Sequence, residues 1–306
     1  MRILVTGGAG FIASHITDTY IKAGHTVSVI DNLYHGTRRN LNPKVKFYKA
    51  DIRKLDIIKQ IIKREKPEII NHHAAISEVT QSMRKPLQTL DVNVTGTANL
   101  LMAASSVKIK KIIFASTGGT IYGNAKTIPT PETAPLQPLS MYALSKQLGE
   151  ELIQYYAKTY KFSYAIFRYG NVFGERQDPY GEAGVIAIFS QLLHNKKTVT
   201  IFGDGTKTRD YIYIPDVVSA NNLVLRHDHN IICNIGRGKP ISDSAIYQTV
   251  RKSFPKALAP RFANVRLGEV MHSAIKSTLA KHVLNWKSQW SLTAGIADYT
   301  KKMNYV

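Results

Sequence analysis

Apolar positions fall along this chain in short runs separated by longer stretches of mixed character. The runs at 2–6, 26–31, 45–48, 69–72, 111–116, 163–168 and 231–235 are each four to six residues long, the length of buried strands. Between the earlier runs the apolar residues recur with helical spacing, beginning with 11–23. Strand and helix in alternation predict an α/β fold, a Rossmann-type doubly wound parallel sheet covered by helices on both faces. From about Gly170 the pattern becomes irregular: Asp178-Pro179-Tyr180-Gly181 reads as a loop, 183–193 as a helix, and Pro240, Pro255 and Pro260 punctuate the C-terminal part of the chain. This predicts a smaller, loop-rich C-terminal lobe. The run at 231–235 is expected to return to the main sheet, giving a larger domain of 1–170 with 214–238 and a lobe of 171–213 with 239–306.

With 306 residues, 44% of them hydrophobic, the chain can bury a full core. Its single cysteine, Cys233, lies inside an apolar run and reads as a buried thiol in a reducing compartment. No stretch approaches the ~20 apolar residues of a membrane span. Glycines, His15 and Asp18 follow Met1 too closely for a signal-peptide core. The expected location is therefore the cytoplasm, where the glycosylation pattern Asn93-Val94-Thr95 has no meaning. The 41 Lys+Arg against 21 Asp+Glu leave a net charge of +20, which favours anionic partners. The basic residues are scattered, and Arg38-Arg39 and Lys108 to Lys111 are the densest clusters. That distribution suits a basic surface around an anionic small-molecule site better than a nucleic-acid groove.

Gly7-Gly8-Ala9-Gly10-Phe11-Ile12-Ala13 follows the first strand and opens the first helix. Small residues there let the backbone turn sharply and approach a pyrophosphate, which meets the unpaired N–H groups of the helix start. Asp31 ends the second strand, about 20 residues on, where a carboxylate accepts hydrogen bonds from ribose hydroxyls and repels a 2′-phosphate. The pattern predicts a bound dinucleotide, NAD rather than NADP, with Gly7, Gly10, Phe11, Ile12 and Asp31 among its contacts. Asp51-Ile52 and Ala74-Ala75 follow the third and fourth strands, at the carboxyl edge where open α/β sheets bind ligands. His72 and His73 are strand neighbours and point to opposite faces, and no cysteine or carboxylate cluster completes a metal site. They read as one packed and one hydrogen-bonded histidine, and no metal is expected.

Tyr142 and Lys146 stand four apart in a segment whose continuation to Tyr160 reads as helix, so both fall on one helical face. A tyrosine with a pKa of about 10 is a poor base at neutral pH. Bringing it to about 7 takes roughly 4 kcal/mol of differential stabilisation, which the Lys146 ammonium and a nicotinamide cation are expected to supply. Thr117, just past the 111–116 strand, can hold a reacting hydroxyl for proton transfer to Tyr142.

Thr6-Gly7-Gly8-Ala9-Gly10-Phe11-Ile12, Asp31-Asn32-Leu33, Ser116-Thr117-Gly118-Gly119-Thr120-Ile121-Tyr122-Gly123 and Tyr142 with Lys146 together resemble the extended short-chain dehydrogenase/reductase superfamily. Arg168-Tyr169-Gly170-Asn171-Val172-Phe173-Gly174, the segment from Arg176 to Val185, and Ile201-Phe202-Gly203-Asp204-Gly205 with Arg209-Asp210-Tyr211 are similar to its UDP-glucose 4-epimerase branch. The resemblance implies epimerisation at C4 of a UDP-hexose, with NAD oxidising and re-reducing the sugar. It assigns catalysis to Thr117, Tyr142 and Lys146 and adds Asn32, Asp51 and Asn93 to the cofactor contacts. It assigns the UDP-sugar to Asn171, Arg209, Arg266 and Glu269. It also places Ser273 where the family's pocket varies in size, which implies room for N-acetylated sugars. Related dehydratases and decarboxylases carry an acidic residue just after the catalytic threonine, where this chain has Gly118 and Gly119. Such an enzyme, or a non-catalytic nucleotide- or nucleic-acid-binding relative, is the alternative. The resemblance further implies a homodimer formed through helices that include the Tyr-x-x-x-Lys helix.

Overall fold

The computed structural model of the chain describes residues 1–180, 184–265 and 270–305. It opens with β1 (Arg2–Thr6), α1 (Phe11–Lys22), β2 (Thr26–Asp31), β3 (Lys46–Lys49), α2 (Leu55–Glu65) and β4 (Ile69–His72). Next come α3 (Val79–Arg84), α4 (Pro86–Leu90) and α5 (Gly96–Ala104), the last two joined by a π-helical turn at Asp91–Thr95. β5 (Lys111–Thr117), the long α6 (Met141–Tyr160) and β6 (Ser163–Tyr169) follow. Beyond them lie β7 (Asn171–Phe173), α7 (Val185–His194), β8 (Thr200–Phe202), β9 (Thr208–Tyr213), α8 (Ile214–Leu223) and β10 (Ile231–Ile235). The chain closes with β11 (Pro240–Ser242), α9 (Asp243–Arg251), β12 (Arg261–Ala263), α10 (Thr278–Leu284) and α11 (Leu292–Lys302).

The large sheet has seven strands in the order β10-β6-β5-β4-β1-β2-β3, and every pair is parallel. This is the expected doubly wound α/β fold. β5 and β6 each run one residue past the expected end because Thr117 pairs with Tyr169. The third strand starts one residue late, at Lys46, and α7 starts at Val185, after the N-cap Gly184.

Alternate residues of each strand feed two cores. Ile3, Val5, Ile113 and Ala115 pack with Ile16 and Tyr20 of α1 and Val217 and Ala220 of α8. Leu4, Ile112 and Phe114 pack on the other face with Leu100 and Leu101 of α5, Ile153 of α6, and α2, whose Ile58, Ile61 and Ile62 form one stripe. Each such aliphatic side chain contributes about 1.5–3 kcal/mol on burial. α6 starts where the Ser140 hydroxyl accepts the Ala143 N–H at 3.2 Å, and it stops at Lys161, whose φ of 59° leaves the helix.

The winding reverses between β1 and β4, opening a crevice at the carboxyl edge. β7 leaves directly from β6 and forms a three-stranded sheet with β9 and β11, while β8 pairs with β12. β10 then returns to the large sheet beside β6. Among the described residues no helix is long and apolar enough to cross a membrane.

Candidate active site

A cavity of about 1240 Å³ lies at the carboxyl edge, walled at one end by Gly7 and Asp31 and at the other by Arg209 and Tyr211. Single small-molecule sites run to about 300–1,000 Å³, so this one can take two ligands end to end.

The first end is built for a dinucleotide. Gly7 has φ +72°, and a Cβ there would sit 2.8 Å from the Ala74 backbone nitrogen, so the turn requires glycine on both counts. Gly10 caps α1 without a side-chain hydrogen bond, leaving the helix start open to an anion. Asp31 accepts N–H groups from Ala9 at 3.0 Å and Leu33 at 2.7 Å. Burial raises its pKa, and those two N–H groups oppose the rise. Phe11, Ile12, Asn32, Ile52, Ala74 and Ala75 share this wall. The residues present therefore fit NAD.

Asp51, Asn93 and Ser273 are not among the described wall residues. Arg53 binds Asp51 through Nη2 at 2.8 Å and Nε at 3.0 Å, and holds its carboxyl well below the usual range. Asn93 accepts the Ile76 N–H at 2.8 Å and donates to the Ile76 carbonyl and to Ser145 Oγ, both at 2.9 Å. Ser145 in turn donates to the Tyr142 carbonyl at 2.7 Å, so Asn93 braces the helix that bears Tyr142.

Thr117, Tyr142 and Lys146 meet in the middle of the cavity. Lys146 Nζ donates to the Ala115 carbonyl at 2.8 Å and lies 4.8 Å from the Phe114 ring centre and 5.9 Å from that of Tyr142. Burial pushes the lysine down to about 7, with the Glu150 charge opposing. Burial pushes the Tyr142 hydroxyl up to about 12, and a hydrogen bond with Thr117 works against it. The protein alone thus leaves Tyr142 protonated, where the sequence led us to expect Lys146 to share in activating it.

His72 is fully packed, with Nδ1 2.6 Å from Thr6 Oγ1 and Nε2 2.9 Å from Thr97 Oγ1. His73 stacks on Tyr169, whose hydroxyl lies 3.3 Å from Nε2. Burial holds both imidazoles neutral, at about 3. Among the described residues no group of His, Cys, Asp and Glu is placed to hold a metal ion.

At the far end, Asn171 and Arg209 line the cavity. Arg209 Nη1 donates to the Thr208 carbonyl at 2.8 Å. Ser273 is buried and its N–H pairs with the Thr208 carbonyl at 3.2 Å. Arg266 and Glu269 lie outside the described residues.

Three charged residues were missed by sequence reasoning. Glu150 continues the Tyr142, Lys146 spacing by one more turn and is buried in an ion pair with Arg168, so helical periodicity alone could have found it. Glu78 and His35 line the cavity and pair at 3.0 Å. They are brought together by strand order, which no local pattern reveals.

A family model described as the NAD dependent epimerase/dehydratase family matches residues 3–236. The UDP-glucose 4-epimerase of Mycolicibacterium smegmatis is 38% identical over 97% of this chain and 96% of its own length. The crystal structure of UDP-glucose 4-epimerase from Thermotoga maritima with UDP-glucose superposes with a TM-score of 0.97, at 39% identity over 99% of this chain and 100% of that one. That of the Thermus thermophilus UDP-glucose 4-epimerase in complex with NAD gives 0.95, at 35% identity and 99% of both chains.

Proposed function

Because the chain belongs to the NAD dependent epimerase/dehydratase family, we propose that it is an NAD-dependent isomerase interconverting UDP-glucose and UDP-galactose at C4. The observation that carries this reading is the meeting of Thr117, Tyr142 and Lys146 in the cavity whose other wall, at Gly7 and Asp31, is shaped for a dinucleotide.

When bound, NAD would supply a hydride acceptor and a positive charge. The protein alone pushes the Tyr142 hydroxyl up to about 12; with the cofactor's positive charge bound it would lose its proton, and the phenolate would then take the proton of the sugar's 4-hydroxyl. Thr117 holds that oxygen in line. Loss of the 4-hydroxyl proton to Tyr142 and of the C4 hydride, which bound NAD would accept, leaves the 4-keto sugar; after it turns in the site, Tyr142 returns the proton to the C4 oxygen as the hydride is restored to the opposite face of C4. Lys146, anchored on the Ala115 carbonyl, stands beside the Tyr142 ring. A site that holds the nucleotide tightly and the sugar loosely permits the turn. Asn171, Arg209, Arg266 and Glu269 are assigned to the nucleotide, since a guanidinium fork matches diphosphate oxygens. In this reading residues 1–170 with 214–238 hold the cofactor, and 171–213 with 239–306 hold the sugar nucleotide. The small Ser273 leaves space for the N-acetylated pair as well. The protein works as a cytoplasmic homodimer through α6, where Tyr155 and Tyr160 are exposed; light scattering checks the dimer.

The test is to incubate the purified protein with UDP-galactose, and separately with UDP-N-acetylgalactosamine, and resolve the products chromatographically. Conversion to the gluco epimer is expected without added reductant. Tyr142→Phe should lower it by about 10²–10⁴. No conversion of either sugar by protein that carries NAD overturns the proposal.

A further inference from the structure

The dinucleotide end of the cavity is crossed by a bridge of side chains that takes no part in the proposed epimerisation. In the large sheet β1 lies between β2 and β4, and the three strands run parallel. The loops leaving the carboxyl ends of β2 and β4 therefore stand on either side of the glycine turn after β1, where the pyrophosphate of a dinucleotide meets the start of α1. These two loops are joined. His35, in the loop after β2, has Nε2 3.0 Å from Oε1 of Glu78, the residue before α3. Beside this pair Gln81 Nε2 donates to the Tyr34 hydroxyl at 3.3 Å. Tyr34, His35 and Glu78 line the cavity together with Gly7, Gly10 and Asp31, so the bridge spans the groove shaped for the cofactor.

Both feet of the bridge are anchored. On one side the Ala9 carbonyl, inside the glycine turn, accepts the Thr37 N–H at 3.1 Å and Asn40 Nδ2 at 2.9 Å, and Asp31 accepts the Leu33 N–H at 2.7 Å. On the other side Ser82 of α3 accepts the Tyr142 N–H at 3.0 Å, which ties α3 to the first turn of α6. The part in water is the tip between these anchors: Tyr34 is 55% exposed and the His35 side chain 47%, against 14% for Glu78. Polar contacts at such a tip can hold a loop shut and still break without unfolding anything beneath it. His35 is raised above its ordinary value chiefly by its hydrogen bond to Glu78, against the effect of burial, and the charges of Asp178 in the loop after β7 and Asp31 at the end of β2 add to the rise. Burial works to neutralise the Glu78 carboxyl, but the hydrogen bond and charge of His35 outweigh it. Below the raised histidine value the pair is an imidazolium on a carboxylate, and above it a neutral hydrogen bond remains.

We propose that His35 and Glu78 form a clasp across the mouth of the cofactor groove, closed over bound NAD and opened for its exchange. The proposal rests on the reading of this end of the cavity as the NAD site. A hydride taken from C4 must return to C4 of the same sugar, so the cofactor has to outlast many turnovers. A barrier to release achieves this without favouring the oxidised or the reduced cofactor.

The experiment loads wild type, His35→Ala, Glu78→Gln and the double variant with radiolabelled NAD and follows its loss during a chase with unlabelled NAD at pH 6.5 and pH 9. At pH 6.5 each single variant should release NAD about three- to tenfold faster than wild type, the range for a charge-assisted hydrogen bond partly in water. The double variant should release it about as fast as the singles, because each removes the same contact. At pH 9 wild type has lost the imidazolium, so the ratio of variant to wild-type rate should shrink. Lys146 titrates within this interval in all four proteins and cancels in the ratio. A loop merely disordered by substitution would release NAD faster at both pH values alike. Equal release from wild type and variants, additive effects in the double variant, or a ratio indifferent to pH overturns the clasp alone. Wild type that takes up no NAD overturns the clasp and the cofactor reading together.

Discussion

Arg168 grips Glu150 at two points in the core, Nη2 to Oε2 at 2.6 Å and Nε to Oε1 at 3.0 Å, with the side chains 6% and 2% exposed. Glu150 Oε1 also accepts the Ser116 hydroxyl at 2.5 Å, immediately before Thr117. Arg168 Nη1 donates to the Tyr122 hydroxyl at 2.9 Å, and Tyr122 donates to Asn234 Oδ1 at 2.8 Å. One ion pair thus ties α6 to β5, β6 and β10 beneath the three reacting side chains.

Glu150→Gln leaves a buried guanidinium without its counter-charge, and it is expected to cost about 3–5 kcal/mol in denaturant unfolding. Glu150→Gln with Arg168→Met removes both charges and should recover most of that loss. In the double variant the Ser116 hydroxyl meets only a neutral amide oxygen that Arg168 no longer orients, so its kcat should stay low, about tenfold or more below wild type, with KM for UDP-galactose little changed. Full recovery of kcat in the double variant would reduce the pair to a stabilising role.

Lys146 makes a second prediction, in which stability and activity move in opposite directions. Its folded pKa is about 7, against 10.5 for the free side chain. Below about pH 7 both folded and unfolded chains carry the proton, and the folded chain bears the full cost of a buried ammonium. As pH rises from 7 toward 10.5 the folded lysine is neutral while the unfolded one still holds its proton; the unfolded chain binds more protons, so stability rises across this window. Lys146→Met should therefore melt higher than wild type at pH 6, and by a smaller margin at pH 9, while turnover is abolished. Scanning calorimetry at the two pH values checks the sign. A margin that widens with pH would contradict the buried-charge account.

The parts of this molecule that were legible in its sequence are those made by near neighbours in the chain. The central strands of the large sheet are buried on both faces, so they read as apolar runs, whereas the edge strand β3 keeps exposed lysines at both ends. The glycine turn, Asp31 and the Tyr142, Lys146 pair obey spacings of one turn or one β-α-β unit. Glu150 obeys the same arithmetic. The Asp51 carboxylate is engaged by Arg53, two residues away, a local competition that spacing alone does not weigh. His35 and Glu78 meet only because β2 and β4 both flank β1, and 43 residues separate them in the chain. The pairing of β8 with β12 joins two three-residue strands from distant parts of the lobe, too short to show a period.

The two buried histidines predict acid sensitivity. His72 and His73 are held at about 3 by burial, from an ordinary value of 6.5. Above pH 6.5 both are neutral folded or unfolded, and the protein has their full contribution. As pH falls toward 3 the unfolded chain takes up protons that the folded chain refuses, so stability declines by up to about 1.4 kcal/mol per pH unit for each. His73→Phe keeps the stacking on Tyr169 and removes one titrating group. Its stability should fall less steeply than wild type between pH 6.5 and 5 in urea titrations, and equal slopes would show that His73 takes up its proton in the folded state.

Coenzyme choice should turn on Asp31. Its two oxygens each accept one backbone N–H, from Ala9 at 3.0 Å and Leu33 at 2.7 Å, which fixes the carboxylate in the wall of the cofactor groove. The remaining lone pairs accept ribose hydroxyls, and the same charge repels a 2′-phosphate. Asp31→Asn keeps the shape, removes the charge, and turns an N–H donor toward one of the two backbone N–H groups. Charge-assisted hydrogen bonds of this kind are worth about 1.5–3 kcal/mol, so NAD should bind about ten- to a hundredfold more weakly. NADP should gain, because its phosphate meets a neutral amide with Arg39 in the same wall. Calorimetric titration of cofactor-stripped protein with each dinucleotide measures both changes. A variant that loses NAD and NADP affinity by the same factor would show that Asp31 shapes the loop without discriminating between them.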